Sequence, residues 1–157
     1  MLAIFVLTTA VGASFALIQQ TLIAASISQS KLVGYYLAQE GVEIVKNIRD
    51  NNWLYQRFST STSWKAGLTN GTWEADYSSL TLSPNLDRHL YIEGATGFYK
   101  YISSPLQEDV ETSYKRTISI TEIGDYALEV KTAVEWKERS RTHNIEVADR
   151  LYNWYGY

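Results

Sequence analysis

"MLAIFVLTTAVGASFALIQQTLIAASISQS", Met1 to Ser30, holds no charged side chain, and all 14 Lys/Arg and all 17 Asp/Glu of the 157-residue chain fall from Lys31 onward. Met1 to Leu7 is wholly apolar, and Thr8, Thr9, Gly12 and Ser14 are small interruptions before Gln19. The apolar part is about 18 residues, close to the ~20 that a helix needs to cross a bilayer. Threonine and serine fit there because their hydroxyls bond back to carbonyls one turn earlier. A cleaved secretory signal would want a basic leading region, a shorter apolar run and a small-residue cleavage site. No Lys or Arg precedes Lys31, and helix-compatible sequence follows. A plain membrane anchor for an unrelated outer domain is the other simple reading.

The continuation bears on that choice. No proline occurs before Pro84, so nothing compels a break between Met1 and the fifties. From Lys31 the pattern is amphipathic: Leu37, Gly41, Ile44, Val45 and Ile48 fall on one stripe, with Glu40, Glu43, Lys46, Asn47 and Asp50 opposite. The polar run "RDNNW", Arg49 to Trp53, supplies stop signals at Asp50 to Asn52. The spacing predicts one helix of about 50 residues, roughly 75 Å long at 1.5 Å per residue. Residues 1–30 form an apolar transmembrane or filament-core segment, 31–53 an amphipathic continuation, and 54–157 a β-rich head. A helix apolar on every side sits in lipid or inside protein. Because the second half takes up the docking surface of the head, the partners expected for the first half are lipid or copies of itself.

Beyond the helix, short β-type runs alternate with turn signals. Asn70-Gly71-Thr72 is a turn followed by a strand-like "TWEADYSSLTL", in which Trp73, Ala75 and Tyr77 alternate. "LYIEGATGFYKYI" reads as a hairpin around Gly94 to Gly97. The clearest signal sets Tyr126, Leu128, Val130, Val134 and Trp136 against Glu129, Lys131, Glu135 and Lys137, a strand with one wet face. Ile118 and Ile120 precede it, and Ile145, Val147 and Leu151 follow, with "GD" and "KERSRTHN" as connectors. Three such strands make an antiparallel meander whose dry face suits the helix stripe, giving an α+β head. Burying the four large helix side chains contributes about 1.5–3 kcal/mol each, more than a surface ion pair at below ~1 kcal/mol.

With Cys 0 there are no disulfides, thiol nucleophiles or thiolate ligands, and a net charge of -3 argues against a nucleic-acid footprint. His89 and His143 stand far apart in polar, turn-like settings and read as solvated. Glu108, Asp109 and Glu111 lack the bend glycine of a calcium loop and read as a solvated connector. Glu40 and Glu43 read as an exposed face rather than an acid/base pair. No phosphate loop, nucleophile elbow or zinc spacing occurs, so no catalytic residue, cofactor or metal is expected and the chain reads as a non-enzyme. Asn70 fits the N-glycosylation pattern, although a turn explains the same residues. Of the abundant aromatics, 5 Trp and 12 Tyr, most fall at alternating strand positions and read as core. The closing "YNWYGY", Tyr152 to Tyr157, reads as a surface for a neighbouring subunit.

Taken together, the uncharged helix, "GYYLAQEGVEIVKNIRDNNW" (Gly34 to Trp53) and the passages "YKRTISI", "LEVKTAVEW" and "VADRLYNW" resemble type IV pilins and pilin-like proteins, including minor pilins and type II secretion pseudopilins. The matches cover most of the chain apart from about Tyr55 to Glu111. The resemblance implies a structural subunit of a type IV pilus-like extracellular filament at the cell surface, held by inner-membrane lipid before assembly and handled by pilus assembly machinery. Its homo-oligomer would be a helical filament of identical subunits. In that filament Gly12, Ala13, Ser14 and Ala16 are candidates for close approach, with Phe5, Leu7, Phe15, Leu17, Leu22 and Ile23 filling the gaps. Leu37, Gly41, Ile44, Val45 and Ile48 would pack the helix on the head. The alternatives are a minor pilin or pseudopilin with an adhesive or substrate-binding head, and a monomeric membrane-anchored binding domain. Family precursors carry a basic leader and a glutamate near the start of the mature helix. "LAIFVLTT" reads like the segment just after that glutamate, so the sequence is expected to begin part-way into the helix. Phe5 stands fifth and the first acid is Glu40, so the glutamate's role passes to no residue here. The disulfide loop of many family members is absent as well.

Overall fold

A stretch free of proline builds α1 (Leu2–Gln56), 55 residues in a computed structural model that describes residues 1–58 and 63–154. It is followed by an antiparallel sheet of seven strands, so the fold is α+β, with the long N-terminal helix and sheet of a pilin-like layout. The chain divides into two compact units, Met1–Val33 and Gly34–Tyr157. The first is the leading part of α1 alone. The second holds the rest of α1 and the sheet.

The strands are β1 (Gly71–Glu74), β2 (Ser83–Pro84), β3 (His89–Ile92), β4 (Tyr99–Lys100), β5 (Val110–Ile123), β6 (Ala127–Glu138) and β7 (Arg141–Tyr152). β5 is the spine. One edge is shared between β3, opposite Val110 to Lys115, and β1, opposite Ile118 to Ile120. The other edge pairs with β6, which pairs in turn with β7 over twelve residues. Arg139 and Ser140, both at positive φ (48° and 68°), close the β6–β7 hairpin as a two-residue turn whose twist matches the strands. Among the described residues β7 pairs with β6 alone, which leaves a long open edge. Asp149 stands opposite Val130, in phase with the buried Leu151, and is exposed.

Period-two alternation puts Leu128, Val130, Thr132, Val134 and Trp136 of β6 on the buried face, with Tyr114, Arg116, Ile118 and Ile120 of β5 beside them. Val42, Val45 and Ile48 of α1 join Ile118, Ile120, Leu128, Val130 and Leu151 in one hydrophobic cluster. Burial of each large aliphatic there contributes about 1.5–3 kcal/mol. The helix approaches closely because two of its buried positions are glycines. A Cβ on Gly41 would lie 2.5 Å from Thr132 Cγ2, and one on Gly34 would lie 2.8 Å from Trp136 Cζ3.

Several local expectations need correction. α1 continues past the polar run to Gln56, because Trp53 is buried and Asn52 donates to the carbonyls of Trp64 (3.1 Å) and Ala66 (2.8 Å). β1 ends at Glu74, and Tyr77 is exposed where the alternation had it dry. Tyr126 precedes β6 and is exposed; Ala127 and Leu128 begin the buried run instead. Most of "KERSRTHN" is strand, the turn being Arg139-Ser140 alone. His89 and His143 lie in β3 and β7 rather than in turns.

Candidate functional site

In the first unit most apolar side chains are exposed: an 18-residue stretch long and apolar enough to cross a membrane has none of its residues buried. Phe5, Leu7, Phe15, Leu17 and Leu22 are exposed, as are Gly12, Ala13, Ser14 and Ala16, whereas Ile23 is half-buried. The threonine and serine hydroxyls there bond back to the helix. Thr8 Oγ1 donates to the Phe5 carbonyl (3.0 Å), Ser14 Oγ to Ala10 (2.9 Å), Thr21 Oγ1 to Ile18 (2.8 Å) and Ser28 Oγ to Ala24 (2.9 Å). Gly12 has nothing within 4 Å of where a Cβ would stand, and it lies in a shallow open groove running from Leu7 to Gln19. Such a segment satisfies its own hydroxyls and leaves its apolar surface for another apolar phase to cover.

In the second unit Leu37, Gly41, Val45 and Ile48 are buried against the sheet, while Ile44 is half-buried at the edge of the cluster. Gly34, Ala38, Val42 and Arg49 complete the buried face and were not singled out by the stripe. Ala38, Val42 and Arg49 each follow a stripe residue by one, so the dry arc is wider than a single row, and Gly34 extends it one turn earlier.

The least expected feature is a buried guanidinium. Arg116 is 1% exposed; its Nη1 donates to the Leu37 carbonyl (3.0 Å) and to Glu40 (3.1 Å), and its Nη2 donates to the Ala75 carbonyl. It ties α1, β5 and the end of β1 together. Glu40 is therefore half-buried and paired, not simply part of a wet face. Glu74, also buried, accepts from Arg88. Asp76 accepts from the Tyr101 amide (3.0 Å) and from Ser78 and Ser79. Burial pushes its carboxyl up, but the Tyr101 amide and the two serines outweigh it and hold the group below the usual carboxylate range. Glu93 is held low by the Thr96 hydroxyl, Lys100 and Tyr77.

These polar groups are occupied in holding loops. Asp109 accepts from the Gly94 (2.9 Å) and Leu106 (2.7 Å) amides, and Glu111 meets His89 Nδ1 at 3.0 Å. His143 stacks on Trp136 with centroids 5.3 Å apart. Among the described residues no group of three or more His, Cys, Asp or Glu could hold a metal. Asn70 is exposed before β1, its Oδ1 accepting the Glu122 amide at 2.6 Å. Of the closing aromatic run, Trp154 is exposed and meets Trp53 edge-on at 4.8 Å, whereas residues 155–157 lie outside the described residues. No family model matches the chain, and no curated protein or solved structure matches it either.

Proposed function

We propose that this protein is a structural subunit of a type IV pilus-like extracellular filament. The observation carrying this reading is the uncovered apolar surface of Met1–Ser30, joined through one continuous helix to a half that is docked on its own sheet. Before assembly the leading segment lies in the cytoplasmic membrane with the head outside. Assembly then moves it into a bundle of identical helices. Lipid tails are about as apolar as leucine, so hydrophobicity alone barely favours that transfer, and close packing at small residues must select the bundle. Gly12, Ala13, Ser14 and Ala16 supply close approach, with Phe5, Leu7, Phe15, Leu17, Leu22 and Ile23 around them.

Negative-stain electron microscopy of the full-length protein, or of purified surface appendages probed for it, tests the proposal. Filaments built mainly of this chain are expected. A few copies per filament would favour the minor-pilin reading, and a dispersed monomer in aqueous buffer would overturn the proposal.

A further inference from the structure

The chain has 14 Lys and Arg. Nine of them hold an ion pair with a carboxylate, and Arg57 is also engaged. Among the described residues Lys31, Lys137, Arg139 and Arg141 hold none, and all four are exposed. Three of them belong to a single β-turn and its flanks.

The packing of the second unit fixes where that turn lies. Along β6, Leu128 and Val130 share a cluster with Val45 and Ile48, Thr132 lies against Gly41, and Trp136 lies against Gly34. β6 therefore runs opposite to α1, and each further residue advances about 3.3 Å in that direction. Lys137, Arg139 and Arg141 follow Trp136, at the end of the unit through which α1 enters it. Lys31 is three residues before Gly34 on the same helix and is the first charge after the apolar run. The positive φ of Arg139 and Ser140 keeps the turn tight, with these two residues at its tip and Arg141 opening β7 beside them. Nearby anions are few: Glu138 is half-buried and engaged, and Glu135 stands exposed two residues before Lys137.

From this we infer that the β6–β7 turn is a docking surface for anionic lipid headgroups, used while Met1–Ser30 occupies the membrane. The inference rests on the membrane stage of the function proposed above. Its chemistry is phosphate recognition by unpaired cations at a bilayer surface. Each cation near an anionic surface strengthens attachment about fivefold, an effect that salt removes.

The full-length chain has no cysteine, so Ser140→Cys carries a single fluorophore, with Thr142→Cys as a second position should the turn tolerate the first poorly. Flotation with phosphatidylcholine vesicles first tests the membrane stage, and failure to float would overturn that stage itself. On floating protein, quenching of the label by uncharged acrylamide should fall at least about threefold when phosphatidylglycerol is included. The combined Lys137→Gln, Arg139→Gln and Arg141→Gln variant, or high salt with the native charges, should abolish the difference. Equal quenching on both lipids overturns the inference and leaves the membrane stage standing. Protection on neutral vesicles that grows with protein density overturns it too, assigning the turn to an acidic face of a second copy.

Discussion

Gly41 of α1 lies so close to Thr132 of β6 that a Cβ would stand 2.5 Å from the threonine methyl and 2.9 Å from its hydroxyl. Glycine is unfavourable in a helix interior by about 1 kcal/mol, so its presence here serves the approach of the helix to the sheet. Gly41→Ala should destabilise the protein by about 1–3 kcal/mol despite the gain in helix propensity. Thr132→Ala in the same chain should recover a good part of that loss, as judged by a denaturant double-mutant cycle. Additive effects would mean that the contact is not the cause.

Arg116 should be the costliest single position in the network. Arg116→Ala empties a buried site and strips the Ala75 carbonyl of a donor, for an expected loss of about 3–5 kcal/mol. Glu40→Ala leaves the guanidinium its two carbonyls but takes away its paired carboxylate, and should cost about 3 kcal/mol, the low end of the same range. Chemical denaturation of the two variants compares them directly.

Asp76 and Glu93 are both held below the ordinary carboxylate range in the folded protein. A lowered folded value means that the contribution to stability is complete above the unfolded value, near pH 4, and is lost as pH falls through the folded one. Unfolding midpoints should therefore drop on acidification below about pH 4. Asp76→Asn should cost about 1–3 kcal/mol at neutral pH, because an amide nitrogen faces donors, and it should flatten the acid limb.

Gly12 has open space where a side chain would go, so Gly12→Leu clashes with nothing in its own chain. If copies of the helix pack there, the variant should reduce assembled filaments at least about tenfold by lost close approach. Thermal unfolding of the head should be unchanged. Filament counts by electron microscopy give the readout, and normal assembly would remove Gly12 from the contact.

The helix was legible because its composition changes from uncharged to periodic without a breaker, and β6 because its alternation is sustained from Leu128 to Trp136. The buried charges were harder to see. Arg116 falls in phase with Ile118 and Ile120, so the alternation itself placed it on the dry face, but its identity argued for water. Only the tertiary arrangement supplies the Leu37 and Ala75 carbonyls that make it tenable. Ile44 packs against the core cluster as its place in the stripe implies, although it is only half-buried. Tyr77 and Tyr126 were misread for a simpler reason, because an aromatic just beyond a strand end continues the alternation on paper and not in space.

Asp149 gives the open side of β7 a consequence for crowding. Any additional strand laid along that side would trap its carboxylate on the dry side of a widened sheet, away from the water that now hydrates it. Heads brought shoulder to shoulder at high density are thereby kept from knitting into one endless ribbon.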